Sequence, residues 1–175
     1  MTRSQQQYDK SLNNRDNLAE EHAFTDTGQL ILLAIFLVTW ITDSFIFHYS
    51  VFLNSYMPLY VRLPIGIAFL TASAFFALSA HNTVFGKTAR EPGLITRGVF
   101  SIVRHPMYFG SFLFFLGLMF ITLSLACAAI CILIFVFYYL VSKYEEKLLL
   151  QKYGTAYEEY RTRVPMLFPL KIRRK

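Results

Sequence analysis

The sequence has 175 residues, which suffices for one compact domain. Hydrophobic residues make up 55% of it and charged residues only 16%, against about 25% charged in an ordinary soluble domain. This composition excludes a disordered tail, a disulfide-stapled secreted domain and an ordinary cytosolic enzyme, and it predicts an all-α integral membrane protein.

Four apolar stretches follow a polar N-terminal segment, residues 1–27, which we expect in the cytosol. A helix needs about 20 apolar residues to cross a membrane, so each stretch is interpreted as a span, and the first as a span rather than a cleavable signal peptide. The third and fourth should form a tight helical hairpin around Thr122 and Ser124. The predicted spans are 28–47, 59–80, 107–122 and 123–141, followed by a cytosolic helical tail, 142–175; residues 28–175 form a single membrane-embedded domain.

The basic residues predict the orientation. All but one of the 17 Lys and Arg residues fall in the N-terminal segment, in the stretch 82–106 or in the tail; the exception is Arg62. Cytosolic loops of membrane proteins are enriched in such residues, so four spans with both termini in the cytosol are expected, and a prokaryotic inner membrane is favoured over the endoplasmic reticulum. The same bias accounts for the net charge of +6, so no nucleic-acid partner is expected.

Polar residues near the spans leave alternatives open. Asp43 either lies solvated at the outer interface, with His48 nearby, or faces the bundle and pairs with Arg62. Cys127 and Cys131 lie four residues apart in an apolar run and indicate neither a disulfide nor a metal site.

Small residues suggest close helix contacts. Gly110 and Gly117 lie seven residues apart and share a helix face, which would permit close contact within the hairpin or between chains. The oligomeric state stays open.

Two polar clusters flank the predicted hairpin and should meet at one cytosolic mouth. The first runs from Arg97 to Tyr108, and the second contains Glu145 and Glu146. Two carboxylates near a helix C-terminus are disfavoured by the helix dipole, so a cation should compensate them. Arg104 or Lys143 could do so structurally, and a cationic ligand group could do so functionally.

These clusters resemble a known superfamily. The RHPxYxG region of this superfamily is similar to the stretches Leu94 to Phe100 and Val103 to Gly110. The C-terminal region of the superfamily has an acidic pair, spaced tyrosines and a closing Val-Pro, and residues 145–165 are similar to it. On these residues the chain, over about 90–169, resembles the isoprenylcysteine carboxyl methyltransferase and phospholipid methyltransferase superfamily.

The resemblance implies a membrane-embedded methyltransferase that uses S-adenosylmethionine, with S-adenosylhomocysteine as product. Arg104 would handle the polar end of the substrate and Glu146 would act as the base for an amine acceptor, so these two are the implied catalytic residues. Glu145 would take the amino group of the cofactor. The remaining implied cofactor contacts are Leu94, Ile95, Gly98, Phe100, His105, Pro106, Tyr108 and Gly110. The tail tyrosines could add an aromatic slot for the adenine.

The acceptor and two other functions stay open. The substrate would be lipid-like or membrane-partitioned and could offer a carboxylate, an amine or a thiol. Val141 stands where prenylcysteine enzymes carry an arginine, which disfavours prenylcysteine itself. The alternatives are an NADPH-dependent reductase related to sterol reductases, although the 2′-phosphate would sit badly beside Glu145 and Glu146, and a non-catalytic membrane scaffold or carrier.

Overall fold

The computed structural model describes residues 26–86 and 93–169, and these residues form helices and turns without a strand. The chain divides into two compact units, Met1–Val38 and Thr39–Lys175. The described part of the first unit is helical throughout. The helices are α1, Asp26–Phe47; α2, Leu59–Phe85; α3, Pro106–Thr122; α4, Leu125–Tyr153; and α5, Thr155–Arg163. The last six residues of α1 have π-helical geometry. Short 3-10 turns lie at Phe52–Ser55 and Gly98–Ser101.

Three of the helices, α1, α2 and α4, are long and apolar enough to cross a membrane. Helix α3 has 17 residues and is therefore about 25 Å long, slightly less than the hydrocarbon core of about 30 Å. Its start at Pro106 fits the preference of proline for the first helical position, where the missing N–H costs no hydrogen bond. The structure therefore agrees with the prediction of an all-α membrane protein.

Helix α4 extends well beyond the apolar stretch from which it was predicted. The apolar run ends at Val141, but the helix continues to Tyr153. Lys, Glu, Leu and Gln are good helix formers, so hydropathy marks where the apolar stretch ends and not where the helix ends. The helix ends only at Gly154, whose φ of 54° is a conformation that glycine adopts without the steric cost of a side chain.

A tight turn joins α3 to α4, as the sequence predicts. Leu123 adopts the left-handed conformation, with a φ of 47°, and its N–H donates to the Met119 carbonyl at 2.7 Å. Ser124 is the N-cap of α4, and its Oγ accepts the backbone N–H of Cys127 at 3.1 Å. The cap satisfies one of the free N–H groups at the start of the helix, which fixes where α4 begins.

Asp43 does not follow either alternative left open by the sequence. It is buried, and its Oδ2 accepts from the hydroxyls of Ser50 and Ser124, each at 2.5 Å, while its Oδ1 accepts the Ser50 N–H at 2.9 Å. Arg62 instead donates to the side-chain oxygen of Asn54. The expectations of a solvated Asp43 and of an Asp43–Arg62 pair were therefore wrong, because hydroxyl donors and the positive end of the α4 dipole satisfy the carboxylate.

Helices α2 and α3 approach closely at glycines. A Cβ on Gly117 would lie 2.9 Å from the Leu70 side chain and 3.1 Å from the Gly66 carbonyl oxygen, and a Cβ on Gly110 would lie 3.2 Å from the backbone nitrogen of Ala77. The small-residue face of α3 thus contacts α2. The expectation of a contact within the hairpin or between chains was wrong about the partner, since spacing identifies a helix face but not the helix that covers it.

The C-terminal segment returns to the start of α3. The N–H of Arg104 donates to the Pro165 carbonyl at 2.9 Å, and the N–H of His105 donates to the Met166 carbonyl at 3.1 Å. These bonds place the segment after α5 beside the residues that precede α3. The two polar clusters of the sequence and the end of the described chain therefore meet in one region.

We predict that Gly117→Val destabilises the protein, because the added side chain must force α2 and α3 apart or distort both. The expected loss is about 1–3 kcal/mol in the free energy of unfolding, measured by thermal unfolding of detergent-purified protein. Ala74→Val, at an exposed position of α2, is the matched control and should have little effect. Equal melting temperatures for Gly117→Val and the unmodified protein would contradict the close contact.

Candidate functional site

Five polar side chains from the start of α3 and the second half of α4 are in contact; we call them the ionic cluster. The Arg104 Nη2 lies 2.5 Å from the Glu146 Oε1. The His105 Nδ1 lies 3.2 Å from the Glu145 Oε2, and its Nε2 lies 3.7 Å from the Glu146 Oε1. The Tyr108 hydroxyl donates to the Glu145 Oε1. The cluster therefore joins the two polar stretches that the sequence expected at one mouth.

Helix geometry gives the two glutamates different surroundings. Neighbouring positions on a helix point about 100° apart, so Glu145 and Glu146 face different sides of α4. The Glu146 side chain is 8% exposed and pairs with Arg104, whereas the Glu145 side chain is 32% exposed and accepts from His105 and Tyr108. Glu145 is thus the carboxylate of the cluster that an incoming group can reach.

Arg104 connects the cluster to the C-terminal segment. Its Nη1 donates to the carbonyl of Arg161 at 2.7 Å and to the carbonyl of Val164 at 2.9 Å, while its Nη2 contacts Glu146. Hydrogen bonds from a charged donor are stronger than those between neutral groups. Arg104 therefore holds the end of α5 against α4.

His105 is buried between two carboxylates. Burial by itself lowers the pKa of His105, but the hydrogen bonds and negative charges of Glu145 and Glu146 outweigh it, so the pKa is raised above its usual value. Arg104 alone offsets only one of the two negative charges, and a proton on His105 would offset the other. The charge of the cluster therefore depends on the protonation of His105.

Aromatic rings support the cluster on one side. The Tyr108 ring stacks on the His105 ring, with centroids 5.9 Å apart, and on the Tyr138 ring, with centroids 5.3 Å apart. The stack fixes the Tyr108 ring and thereby the position of the hydroxyl that donates to Glu145. Tyr138 was not among the residues predicted from the sequence, because it lies in an apolar run of α4 where an aromatic side chain carries no distinct signal.

A cavity of about 180 Å³ lies beside the cluster and shares Arg104 with it. Its walls come from the segment before α3, from the end of α4 and from α5. The Tyr160 hydroxyl donates to the Phe100 carbonyl at 2.6 Å, which joins two of these walls. Burial raises the pKa of Tyr157 and Tyr160, so both hydroxyls stay protonated at neutral pH. The lining residues are Gly93, Leu94, Ile95, Phe100, Arg104, Leu149, Tyr153, Tyr157 and Tyr160.

Most of the sequence-predicted site residues meet here. Arg104, His105, Tyr108, Glu145 and Glu146 form the ionic cluster, and Leu94, Ile95 and Phe100 line the cavity. Pro106 begins α3 directly after them. Gly98 adopts a φ of 63° in the 3-10 turn, and Gly110 faces α2, so both glycines lie outside the cavity lining. The tail tyrosines, mentioned at the sequence level without individual roles, line the cavity, and their helical spacing was the signal that could have identified them.

Comparison with known proteins identifies the family. The phospholipid methyltransferase family matches this chain over residues 59–156, which is more than half of it and includes α2, α3, α4 and the whole ionic cluster. The chain belongs to the phospholipid methyltransferase family. This confirms the resemblance found in the RHPxYxG region and the acidic pair. Within the described ranges 26–86 and 93–169, no three His, Cys, Asp or Glu side chains come together as a metal site would require.

Two curated relatives match part of the chain. It is 31% identical over 93 residues to a protein-S-isoprenylcysteine O-methyltransferase of Schizosaccharomyces pombe, covering 53% of this chain and 39% of the relative. It is also 31% identical over 107 residues to the nickel-cobalt-cadmium resistance protein NccN of Alcaligenes xylosoxydans xylosoxydans, covering 61% of this chain and 49% of the relative. The matched region thus spans two-fifths to half of each relative. No solved structure matches the chain.

We predict that Glu146→Gln destabilises this family member more than a carboxylate-to-amide change at its surface. The substitution leaves the buried Arg104 without its counter-charge, which costs about 3–5 kcal/mol in comparable cases. The measurement is the free energy of unfolding in detergent.

The matched control is Glu159→Gln, which removes an ion pair with Arg163 whose N–O distance is 3.3 Å and whose side chains are both more than two-thirds exposed. Exposed pairs contribute about 0–1 kcal/mol, so this variant should unfold like the parent protein. Equal losses in the two variants would mean that the Arg104–Glu146 pair does not stabilise the fold.

Proposed function

We propose that this chain is a membrane-embedded methyltransferase that transfers the methyl group of S-adenosylmethionine to a lipid-like or membrane-partitioned acceptor. One observation carries the proposal: a carboxylate that is one-third exposed, Glu145, lies in a cluster that shares Arg104 with an aromatic cavity. Membership of the phospholipid methyltransferase family supports the reaction class.

The residues present fit the chemistry of this cofactor. The cofactor has a cationic end, with an ammonium and a sulfonium, and a flat purine. Glu145 would receive the ammonium, and Tyr108 and His105 hold the carboxylate in place. The cavity of about 180 Å³ is smaller than the 300–1,000 Å³ of pockets that enclose a whole ligand of this size. We therefore assign the purine to the cavity, against Phe100 and the tail tyrosines, and the amino-acid end to the ionic cluster.

The bound cofactor would supply an activated methyl group, which an acceptor atom displaces in line. The task of the protein is to align the acceptor with that group and to exclude water. Arg104 and Glu146 remain the proposed catalytic residues, Arg104 for a carboxylate acceptor and Glu146 as the base for an amine. Because the two are paired with each other, either acts on an acceptor only when the pair opens.

We also propose that α1 to α4 are four spans with both termini in the cytosol. Three basic segments then share the cytosolic side; the whole first segment at residues 1–25, and the basic residues at 87–92 and 170–175, lie outside the described residues. Between the end of α1 and the first turn of α2, three tyrosines are each more than three-quarters exposed: Tyr49, Tyr56 and Tyr60. Such amphipathic rings favour the membrane interface. This supports an interfacial position for that end of α2.

The acceptor class follows from what the site presents. The guanidinium of Arg104 contacts Glu146 and two backbone carbonyls, and Val141 replaces the arginine of prenylcysteine enzymes. The missing arginine disfavours prenylcysteine as the acceptor. As the acceptor, we therefore favour an amine or thiol of a membrane lipid over prenylcysteine.

We predict that detergent-purified protein binds S-adenosylhomocysteine and does not bind NADPH in calorimetric titrations. Glu145→Gln should weaken S-adenosylhomocysteine binding by about 10- to 100-fold, because a charge-assisted hydrogen bond is worth about 1.5–3 kcal/mol. Glu158→Gln, on the exposed face of α5, should bind like the parent protein. Binding of NADPH alone would support the reductase, and binding of neither would support a scaffold.

A separate measurement tests turnover. Labelled methyl from S-adenosylmethionine should appear in a component of a membrane extract, and the labelled product identifies the acceptor. Arg104→Lys keeps a positive charge beside Glu146, so it should lower this transfer far more than the affinity for S-adenosylhomocysteine if Arg104 acts on the acceptor. An equal fall in affinity and turnover would assign Arg104 to the cofactor cavity instead.

A further inference from the structure

We infer that a proton on His105 is the internal counter-charge of the ionic cluster, and that a cationic ligand group bound at Glu145 expels it. Cofactor binding is then coupled to release of one proton into solution. The inference rests on the proposed function, because it takes the ammonium of the cofactor as the group that Glu145 receives.

The geometry supports this role for His105. The side chain is 6% exposed, and its two ring nitrogens face different carboxylates, with Nδ1 3.2 Å from Glu145 and Nε2 3.7 Å from Glu146. Each ring nitrogen thus faces a carboxylate. This suits a protonated imidazole, which has an N–H at both nitrogens, better than a neutral ring, which has only one.

The charged and titratable groups that face His105 come from α3, from α4 and from its neighbour in the chain. Arg104 is adjacent in the chain, Tyr108 stacks on the ring from α3, and Glu145 and Glu146 face it from α4. Among the described residues, the C-terminal segment contributes the carbonyl of Met166, which accepts the backbone N–H of His105. With Tyr108 neutral, the set carries one net negative charge when His105 is neutral and none when it is protonated.

The electrostatic balance agrees with this arrangement. Although burial opposes charge on the ring, the two carboxylates raise the pKa of His105 above its usual value. Without ligand, the imidazolium is therefore more favoured than in a free histidine, and it competes for the oxygen of Glu145 that it contacts.

A ligand ammonium at Glu145 changes the balance. It adds a positive charge to a cluster that is already neutral, within a few ångström of the imidazolium and in a largely buried setting, where charges interact strongly. The N–H bond of the imidazolium then breaks, the electron pair stays on the ring, and the proton passes to the buffer. The ammonium replaces the imidazolium as the counter-charge of Glu145.

The test is calorimetric titration of S-adenosylhomocysteine into the detergent-purified full chain, in phosphate and in ACES buffer, between pH 6 and pH 7.5. The two buffers differ in ionisation enthalpy, so the difference in observed heat gives the number of protons released. We expect release approaching one proton per ligand at the lower pH values. Affinity should rise up to tenfold per pH unit below the pKa of His105 and level off above it.

Two comparisons locate the proton. 5′-Methylthioadenosine keeps the nucleoside but lacks the ammonium, so its binding should release no proton. His105→Asn keeps a donor for Glu145 but cannot titrate in this range, so it should bind S-adenosylhomocysteine without proton release and with a flat pH profile. His81→Gln, an exposed histidine of α2, should behave like the parent protein.

The outcomes separate this inference from the proposed function. Absence of any S-adenosylhomocysteine binding would contradict the proposed function. Binding without proton release, or with equal release for 5′-methylthioadenosine, would overturn the inference and leave the proposed function intact. Binding without release would mean that His105 stays protonated, for example by pairing with the carboxylate of the ligand. If His105→Asn fails to fold, the comparison of the two ligands on the parent protein still decides.

Discussion

The ion pair between Arg104 and Glu146 is the interaction on which the site depends. Burying two charges costs more than their mutual attraction returns unless further hydrogen bonds satisfy them. Here the second terminal nitrogen of Arg104 donates to two carbonyls of the C-terminal segment. One guanidinium therefore joins α4, α5 and a cavity wall, and a site made from distant parts of the chain keeps a defined geometry.

Both ends of the α3–α4 hairpin are fixed by polar contacts within an apolar protein. At the turn, Asp43 accepts from Ser50 and from the N-cap Ser124. At the other end lies the ionic cluster. Between them, the glycines of α3 allow α2 to pack closely along it. Arg104 and His105 lie directly before α3, and Tyr108 lies in its first turn. These residues are thus attached to a closely packed helix pair, and such support gives a site its precision.

The sequence was sufficient for the elements that depend on local pattern. Apolar run lengths located helices α1 to α4. Partners across the structure were less predictable: Asp43 pairs with serines, and the glycine face of α3 packs on α2. Each of these depends on which side chains become neighbours after folding, which helical spacing does not specify. The ionic cluster was easier to anticipate, because unlike charges next to apolar spans have few possible partners.

The division between Glu145 and Glu146 follows from the same helix geometry that brings them to one region. Two adjacent residues on α4 cannot point the same way, so one carboxylate is used for the buried pair with Arg104 and the other remains partly accessible beside Tyr108 and His105. A single residue could not do both, because a carboxylate engaged by Arg104 has little capacity left for a ligand cation. Glu146 therefore has a structural role, and Glu145 is available to a ligand. His105, which contacts both, would lose its proton when a ligand cation binds at Glu145.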